Sequence, residues 1–286
     1  MPERSRPGSF LALMDLDVAG DDRFVAPAAP ERSGTMYGGQ FLAQALGAAQ
    51  RTVDGHRAVH SLHAYFLRTG DVMLPVELEV ERVRDGRSFS SRAVTASQND
   101  RELFRMTVSF HVPEAGWTFA APEMPEAPAP ESVSLTYNAF SRANGEAEDW
   151  DGEARAMDLR YVNPPTAPPG EPVLEDQRLW MRITDELPDD PGLQAAGLAY
   201  LSDSTLIDHA VLRHGRRWQD PRLVGTSLDH AMWFHGAARA DEWLLFDQTV
   251  EATGGARGLT TGRLFDGAGR LVATCMQEGL IRWTGE

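Results

Sequence analysis

Lysine is missing from the chain: all 27 basic residues are arginine, a bias that reads as genome composition rather than chemistry. Positive charge is also in deficit, with 42 Asp and Glu giving a net charge of −15. That field argues against nucleic acid and anionic membranes as partners, although a local arginine cluster can still hold phosphates. Cysteine is reduced to one residue, Cys275, which excludes an internal disulfide and fits a reducing compartment. No uncharged apolar run approaches the roughly 18 residues that a membrane span needs. Met1 to Ser9 is polar and proline-containing, without the apolar stretch of a signal peptide, and Trp283-Thr284-Gly285-Glu286 carries no peroxisomal address. A soluble, cytoplasmic protein is the expectation. With no cysteine cluster and no His-Glu-x-x-His, no metal is expected, and the pairs His60/His63 and His230/His235 read as packing or surface residues. A Gly-x-Ser-x-Gly nucleophile elbow is absent too.

What is present is an ordinary globular composition, and 286 residues suffice for one large domain or two smaller ones. Phe10 to Leu16 reads as a short opening helix. Gly38-Gly39 then leads into Gln40 to Ala49, where Phe41, Leu42, Ala45, Ala48 and Ala49 share one helical side. Its small residues would let strands pass close to the backbone. His60 to Leu67 reads as a strand. In the next, Val76, Leu78 and Val80 alternate with Glu77, Glu79 and Glu81, a half-buried strand by its period of two. Phe89 to Ala96 follows the turn-like Arg84-Asp85-Gly86-Arg87, and Phe104 to Val112 closes the block. One buried helix followed by four or more strands is not a βαβ pattern, so an antiparallel sheet is predicted.

Pro113 to Pro130 loses all periodicity and reads as a linker, Ser132 to Asn144 as a short surface helix, and Pro164 to Pro172 as a loop. Glu175 to Thr184 reads as a strand. Gly192 to Val211 reads as a helix broken by the polar run Ser202-Asp203-Ser204. Gly225 to His235 then carries the strongest local signal. Ser227 or Thr226 suits an N-cap and Asp229 suits a first turn. Leu228, Ala231 and Met232 at i, i+3 and i+4, thickened by Trp233 and Phe234, predict a buried helix over Ser227 to His235. Strands are expected at Trp243 to Glu251, Ala256 to Phe265 and Arg270 to Trp283. The two halves repeat one order, a buried helix, two strands, a turn and a closing strand, with Asn99-Asp100-Arg101 matching Gly267-Ala268-Gly269. The expected division is 1–112, a linker at 113–150, and 151–286.

Several separated motifs resemble the type II acyl-CoA thioesterases. In the first half these are Tyr37-Gly38-Gly39-Gln40 with Gln44-Ala45-Leu46, His60 to Arg68, and Arg84 to Phe89. In the second they are Tyr200-Leu201-Ser202-Asp203, Leu228 to His235, and Gln277-Glu278-Gly279. The resemblance spans nearly the whole chain and is weakest over 113–150. It implies an α+β double-hotdog fold, two helices each wrapped by an antiparallel sheet, with the sheets joined side by side. It also implies an acyl-CoA substrate, no cofactor, and a homodimer or homotetramer. In that family an aspartate, a threonine or serine, and a glutamine hold the attacking water. Asp203, Ser227 and Gln277 occupy those positions, Ser227 standing where threonine is usual, with Thr226 as the alternative hydroxyl.

That set suits thioester hydrolysis. A buried carboxylate can act as base, and a hydroxyl and an amide offer complementary donors and acceptors to one water. The oxyanion would sit over backbone N–H groups at a helix start, either Leu228 and Asp229 or Gly39 and Gln40. Arg84, Arg87 and Arg257 are candidates for the phosphates of coenzyme A. Each catalytic candidate also has an ordinary role open to it. Asp203 and Ser227 suit helix N-caps, Gln277 suits an inward strand position with Ala273 and Cys275, and Cys275 suits the core. A fatty acyl-CoA hydrolase is therefore weighed against an enoyl-thioester hydratase or dehydratase using His230, and against a non-catalytic acyl-CoA-binding double hotdog.

Overall fold

The structure is a computed structural model and describes residues 8–28, 35–136, 139–140, 156–218 and 220–285. The expected helix over Ser132 to Asn144 lies partly outside them, at 137–138 and 141–144. Its described start is a 3-10 turn, Pro130–Ser132, leading to a bridge between Thr136 and Arg160.

Four helices are described: α1 (Phe10–Leu13), α2 (Gly38–Gln50), α3 (Pro191–Ser202) and α4 (Leu206–Leu212). The strands of the first half are β1 (Asp17–Gly20), β2 (Arg23–Ala26), β3 (Ala58–Phe66), β4 (Val76–Asp85), β5 (Phe89–Gln98) and β6 (Arg101–His111). Those of the second are β7 (Met157–Tyr161), β8 (Gln177–Ile183), β9 (Leu223–Ser227), β10 (Asp229–Phe234), β11 (Leu244–Gly254), β12 (Arg257–Phe265) and β13 (Leu271–Trp283). All pair antiparallel in one continuous sheet ordered β1-β2-β4-β5-β6-β3-β10-β13-β12-β11-β8-β7, with β9 also on β13. The halves meet at β3–β10, where Ala231 faces His63. Among the described residues no helix is long and apolar enough to cross a membrane.

The helices form where local chemistry supports them. Asp190 caps α3 by accepting from the Gly192 and Leu193 N–H groups at 2.8 and 3.2 Å, and Pro191 occupies the first turn, where its missing N–H costs nothing. Small residues keep α2 and α3 close. A Cβ on Gly39 would stand 2.4 Å from the Tyr200 carbonyl oxygen, so only glycine fits there. The Tyr37 hydroxyl donates to that same carbonyl at 2.8 Å, and at the other end Gln50 Nε2 donates to the Gly192 carbonyl at 3.1 Å. The two helices therefore run antiparallel, each N-terminus beside the other's C-terminus.

The predicted helix over Ser227 to His235 is not formed: this stretch is β9 and β10. The second buried helix is α3 instead, which carries Tyr200-Leu201-Ser202 at its end. The cause of the misreading is a β-bulge. Ser227 pairs with Gly279, but Ala231 pairs with Met276, so the ladder slips by one residue at Leu228–Asp229. Ser227 and His230 consequently both face inward, while Leu228 and Ala231, three apart, share the half-buried opposite face, so the apolar spacing read as helical arises within a strand.

Candidate active site

Asp203 sits at the C-terminal end of α3, as its C-cap residue rather than the N-cap of the helix that follows. Past it the chain turns through Thr205, held in the left-handed region at φ 64°, an uncommon conformation for a β-branched residue. Gln248 Nε2 donates to Thr205 Oγ1 at 2.6 Å and ties down this turn. Ser227 ends β9 without capping any helix. Gln277 lies on β13, where alternation turns Ala273, Cys275 and Gln277 inward.

The three sequence-predicted residues meet. Gln277 Nε2 donates to Asp203 Oδ1 at 2.6 Å and to Ser227 Oγ at 2.6 Å, so one amide clamps a carboxylate and a hydroxyl separated from it by 74 and 50 residues of chain. Thr226 is exposed, so Ser227 is the hydroxyl in the cluster. The other oxygen of Asp203, Oδ2, lies against the start of α2: a Cβ on Gly38 would be 2.6 Å from it and 2.9 Å from Phe66 Cε1. The backbone of Gly39 donates to the carboxyl as well. Burial drives the Asp203 pKa up to about 7, against the opposing pull of the Gln277 and Gly39 hydrogen bonds. A carboxyl that changes charge near neutrality is suited to taking a proton and giving it back.

Of the two oxyanion candidates, only the α2 end remains. Leu228 and Asp229 do not open a helix, and the Leu228 N–H is spent on the Glu278 carbonyl at 2.9 Å. The Asp229 carboxylate accepts from the Glu278 N–H at 2.8 Å, which braces the bulge. At α2 the Gln40 N–H goes to the Tyr37 carbonyl at 3.0 Å, leaving Gly38 and Gly39 as the residues whose backbone borders Asp203.

The arginine candidates are dispersed. Arg57 Nη2 donates to the Gly86 carbonyl at 2.8 Å, fixing the hairpin of Arg84 and Arg87 beside the start of β3, whereas Phe66, at the end of β3, lies by Asp203. The separation is roughly 25 Å along the strand. Arg257 lies on the same half as the cluster, pairs across from Leu280, and binds Glu278 at 2.9 Å.

Two neighbours carried no separate sequence signal. Thr260 stands across from Gln277, fully buried, its hydroxyl without a partner among the described residues. Phe66 starts a run of rings, 5.4 Å from Phe104, which stacks on Phe41 at 5.6 Å. Alternation along β3 and β6 identified Phe66 and Phe104 as strand residues but not as walls of a site.

Comparison with known proteins agrees with this geometry. Residues 27–111 match the acyl-CoA thioesterase N-terminal domain family, and residues 121–281 match the acyl-CoA thioesterase C-terminal domain family. The chain is 36% identical to acyl-coenzyme A thioesterase 8 of Mus musculus, over 86% of this chain and 80% of the mouse protein. It is 35% identical to acyl-CoA thioesterase 2 of Haemophilus influenzae, over 87% and 88%. The crystal structure of the acyl-CoA thioesterase II TesB2 of Mycobacterium marinum superimposes with a TM-score of 0.79 at 38% identity, covering 96% of this chain and 98% of that one. A half-buried carboxyl clamped at the junction of two helix-in-sheet halves thus occurs in a chain matched over both halves, and the protein belongs to the acyl-CoA thioesterase family, with the double-hotdog fold.

Proposed function

We propose that this thioester hydrolase acts on fatty acyl-CoA through a water activated by Asp203 and oriented by Ser227 and Gln277. The observation that carries the reading is the pair of 2.6 Å hydrogen bonds from Gln277 Nε2, which hold the only carboxyl of the cluster beside its only hydroxyl. In the reaction Asp203 takes a proton from water as the water oxygen bonds to the thioester carbonyl carbon. The developing oxyanion lies over the start of α2 at Gly38, since the Gly39 N–H serves Asp203 and the Gln40 N–H serves the Tyr37 carbonyl. Collapse breaks the C–S bond, and the proton on Asp203 passes to the thiolate sulfur, returning the carboxylate. The products are the free acid and coenzyme A.

The Phe66–Phe104–Phe41 run beginning beside the carboxyl supports an apolar acyl chain, and Arg257 is the best-placed of the three arginines for a coenzyme A phosphate. The hydratase alternative needs His230 to reach substrate, but its ring is buried and its Nε2 is engaged by Ser202. Release of free thiol from a panel of acyl-CoAs is the test. Long-chain turnover that disappears in Asp203→Asn supports the reading, and unchanged turnover in that variant rejects it.

A further inference from the structure

His230 is 1% exposed and contributes nothing to the water-activating trio, yet it stands among these residues. Ala231 pairs with Met276, so His230 lies across from Gln277 on the neighbouring strand, and the bulge turns both side chains inward. On one side of the ring, Nε2 lies 2.9 Å from Ser202 Oγ. On the other side, His230 Nδ1 and Gln277 Oε1 are both buried, and neither has a hydrogen-bond partner among the described residues. Interaction with the Gln277 side chain favours the protonated ring, while burial opposes it and holds the group neutral, at about 4.

We propose that His230 is a positioning residue: its Nδ1–H faces Gln277 Oε1 and so fixes which end of the Gln277 amide points at Asp203 and Ser227. Both Gln277 amide protons are used on Asp203 Oδ1 and Ser227 Oγ, so Oε1 must face a donor. Ser202 Oγ has one proton and two acceptors at 2.9 Å, the Ala199 carbonyl and His230 Nε2. Were that proton to go to Ala199, the neutral imidazole would carry its own on Nε2, and two lone pairs, Nδ1 and Oε1, would face each other in a buried site. A Ser202 proton directed at Nε2 and an imidazole proton on Nδ1 make the ring and the amide complementary, and the buried Thr260 hydroxyl, across from Gln277 on β12, is the competing donor for Oε1. Without that anchor the amide can turn over, presenting Oε1 to the Asp203 carboxylate and disfavouring its charged form.

This rests on the assignment of Asp203, Ser227 and Gln277 given above. Among the described residues, the groups facing Asp203 are Gly38 and Gly39 from α2, Phe66 from β3, Ser227 from β9, and Gln277 and the titratable Cys275 from β13. Burial and the Asp203 charge keep the Cys275 thiol far above its ordinary range, so it does not titrate with Asp203. The experiment compares wild type, His230→Leu and His230→Asn. His230→Leu is expected to lower kcat about tenfold with KM within about twofold, and to move the acid limb of kcat up by about one pH unit. His230→Asn, whose amide can donate from near the Nδ1 position, is expected to restore the limb. A limb in His230→Leu that coincides with wild type overturns the proposal. In the folded wild type, nitrogen-15 spectra of labelled histidine should show a neutral ring protonated on Nδ1, and a proton on Nε2 overturns it without any variant. Full activity in Asp203→Asn would instead reject the trio itself, which separates the two failures.

Discussion

The two ends of the α2–α3 pair are built alike and differ in chemistry. Each half has a strand bulge at the same place: Val59 pairs with Phe110 and Ser61 with Ser109, the same one-residue slip found between Ser227 and Ala231. Matching the ladders sets Ser227 against Val59, His230 against Leu62, Gln277 against Val108 and Thr260 against Arg92. Where Asp203 touches Gly38 and Gly39 of α2, Gln50 touches Gly192 of α3. The polar side chains are thus replaced by three apolar ones, and the end of α2 is closed by Arg92. That buried guanidinium donates to the Thr52 carbonyl and hydroxyl at 3.0 and 2.8 Å and to Asp85 at 2.8 Å. Open space occurs in both halves, and one cleft of about 430 Å³ lies beside Arg257 and Ile281. A cleft of about 1530 Å³ runs past Gln50, Val59 and Gly192 and includes none of the trio. One fold supplies two equivalent junctions, and only the second places a carboxyl in a desolvated position.

Asp203→Asn should break the contrast most strongly, lowering kcat by about 10² to 10⁴. The same change should stabilise the fold. The folded pKa of about 7 lies above the ordinary 3.8, so ionised Asp203 opposes folding increasingly as pH rises from about 4 to about 7, and the penalty then levels off. Thermal denaturation should show the variant gaining more over wild type at pH 8 than at pH 5, by on the order of 2 kcal/mol.

The glycines give the next test. Gly38→Ala drives a methyl into Asp203 Oδ2 and the Phe66 ring and is expected to cost about 10²-fold in kcat, whereas Gly192→Ala meets a flexible Gln50 side chain at 3.1 Å and should leave kcat within about twofold. Steady-state assays of both variants decide this. In wild type, kcat should fall about tenfold per pH unit below pH 7, because the base must be ionised. His230, near 4, adds no second limb above pH 5. Smallest in activity is Arg92→Met. It should lose about 2 kcal/mol in denaturant melts through the unpaired Thr52 groups, with kcat unchanged.

Much of the scaffold was legible. Alternation located β4 and β6, the segments of β5, β11, β12 and β13 also read as strands, and the small residues of α2 announced a buried helix. Gln277 was readable as inward because Ala273 and Cys275 share its face. What failed was Ser227 to His235, since a bulge sets Leu228 and Ala231, three apart, on one face and reproduces helical spacing within a strand. Periodicity cannot distinguish the two when the disturbance sits in the middle of an eleven-residue window. The motif nevertheless named Ser227, whose hydroxyl accepts from Gln277, while its supposed role as a helix cap is not found.

The sequence by itself determined which segments bury a face, that no disulfide forms within the chain, and that a carboxylate follows the Tyr200-Leu201-Ser202 run. Those properties are local, set by side-chain period and residue type. Only the tertiary structure decided that Asp203, Ser227 and Gln277 converge, that the second junction and not the first carries them, and that burial lifts a carboxyl to about 7. Convergence depends on strand register summed over 74 residues, and desolvation depends on what surrounds a group on every side; neither is a property of any stretch of chain taken alone.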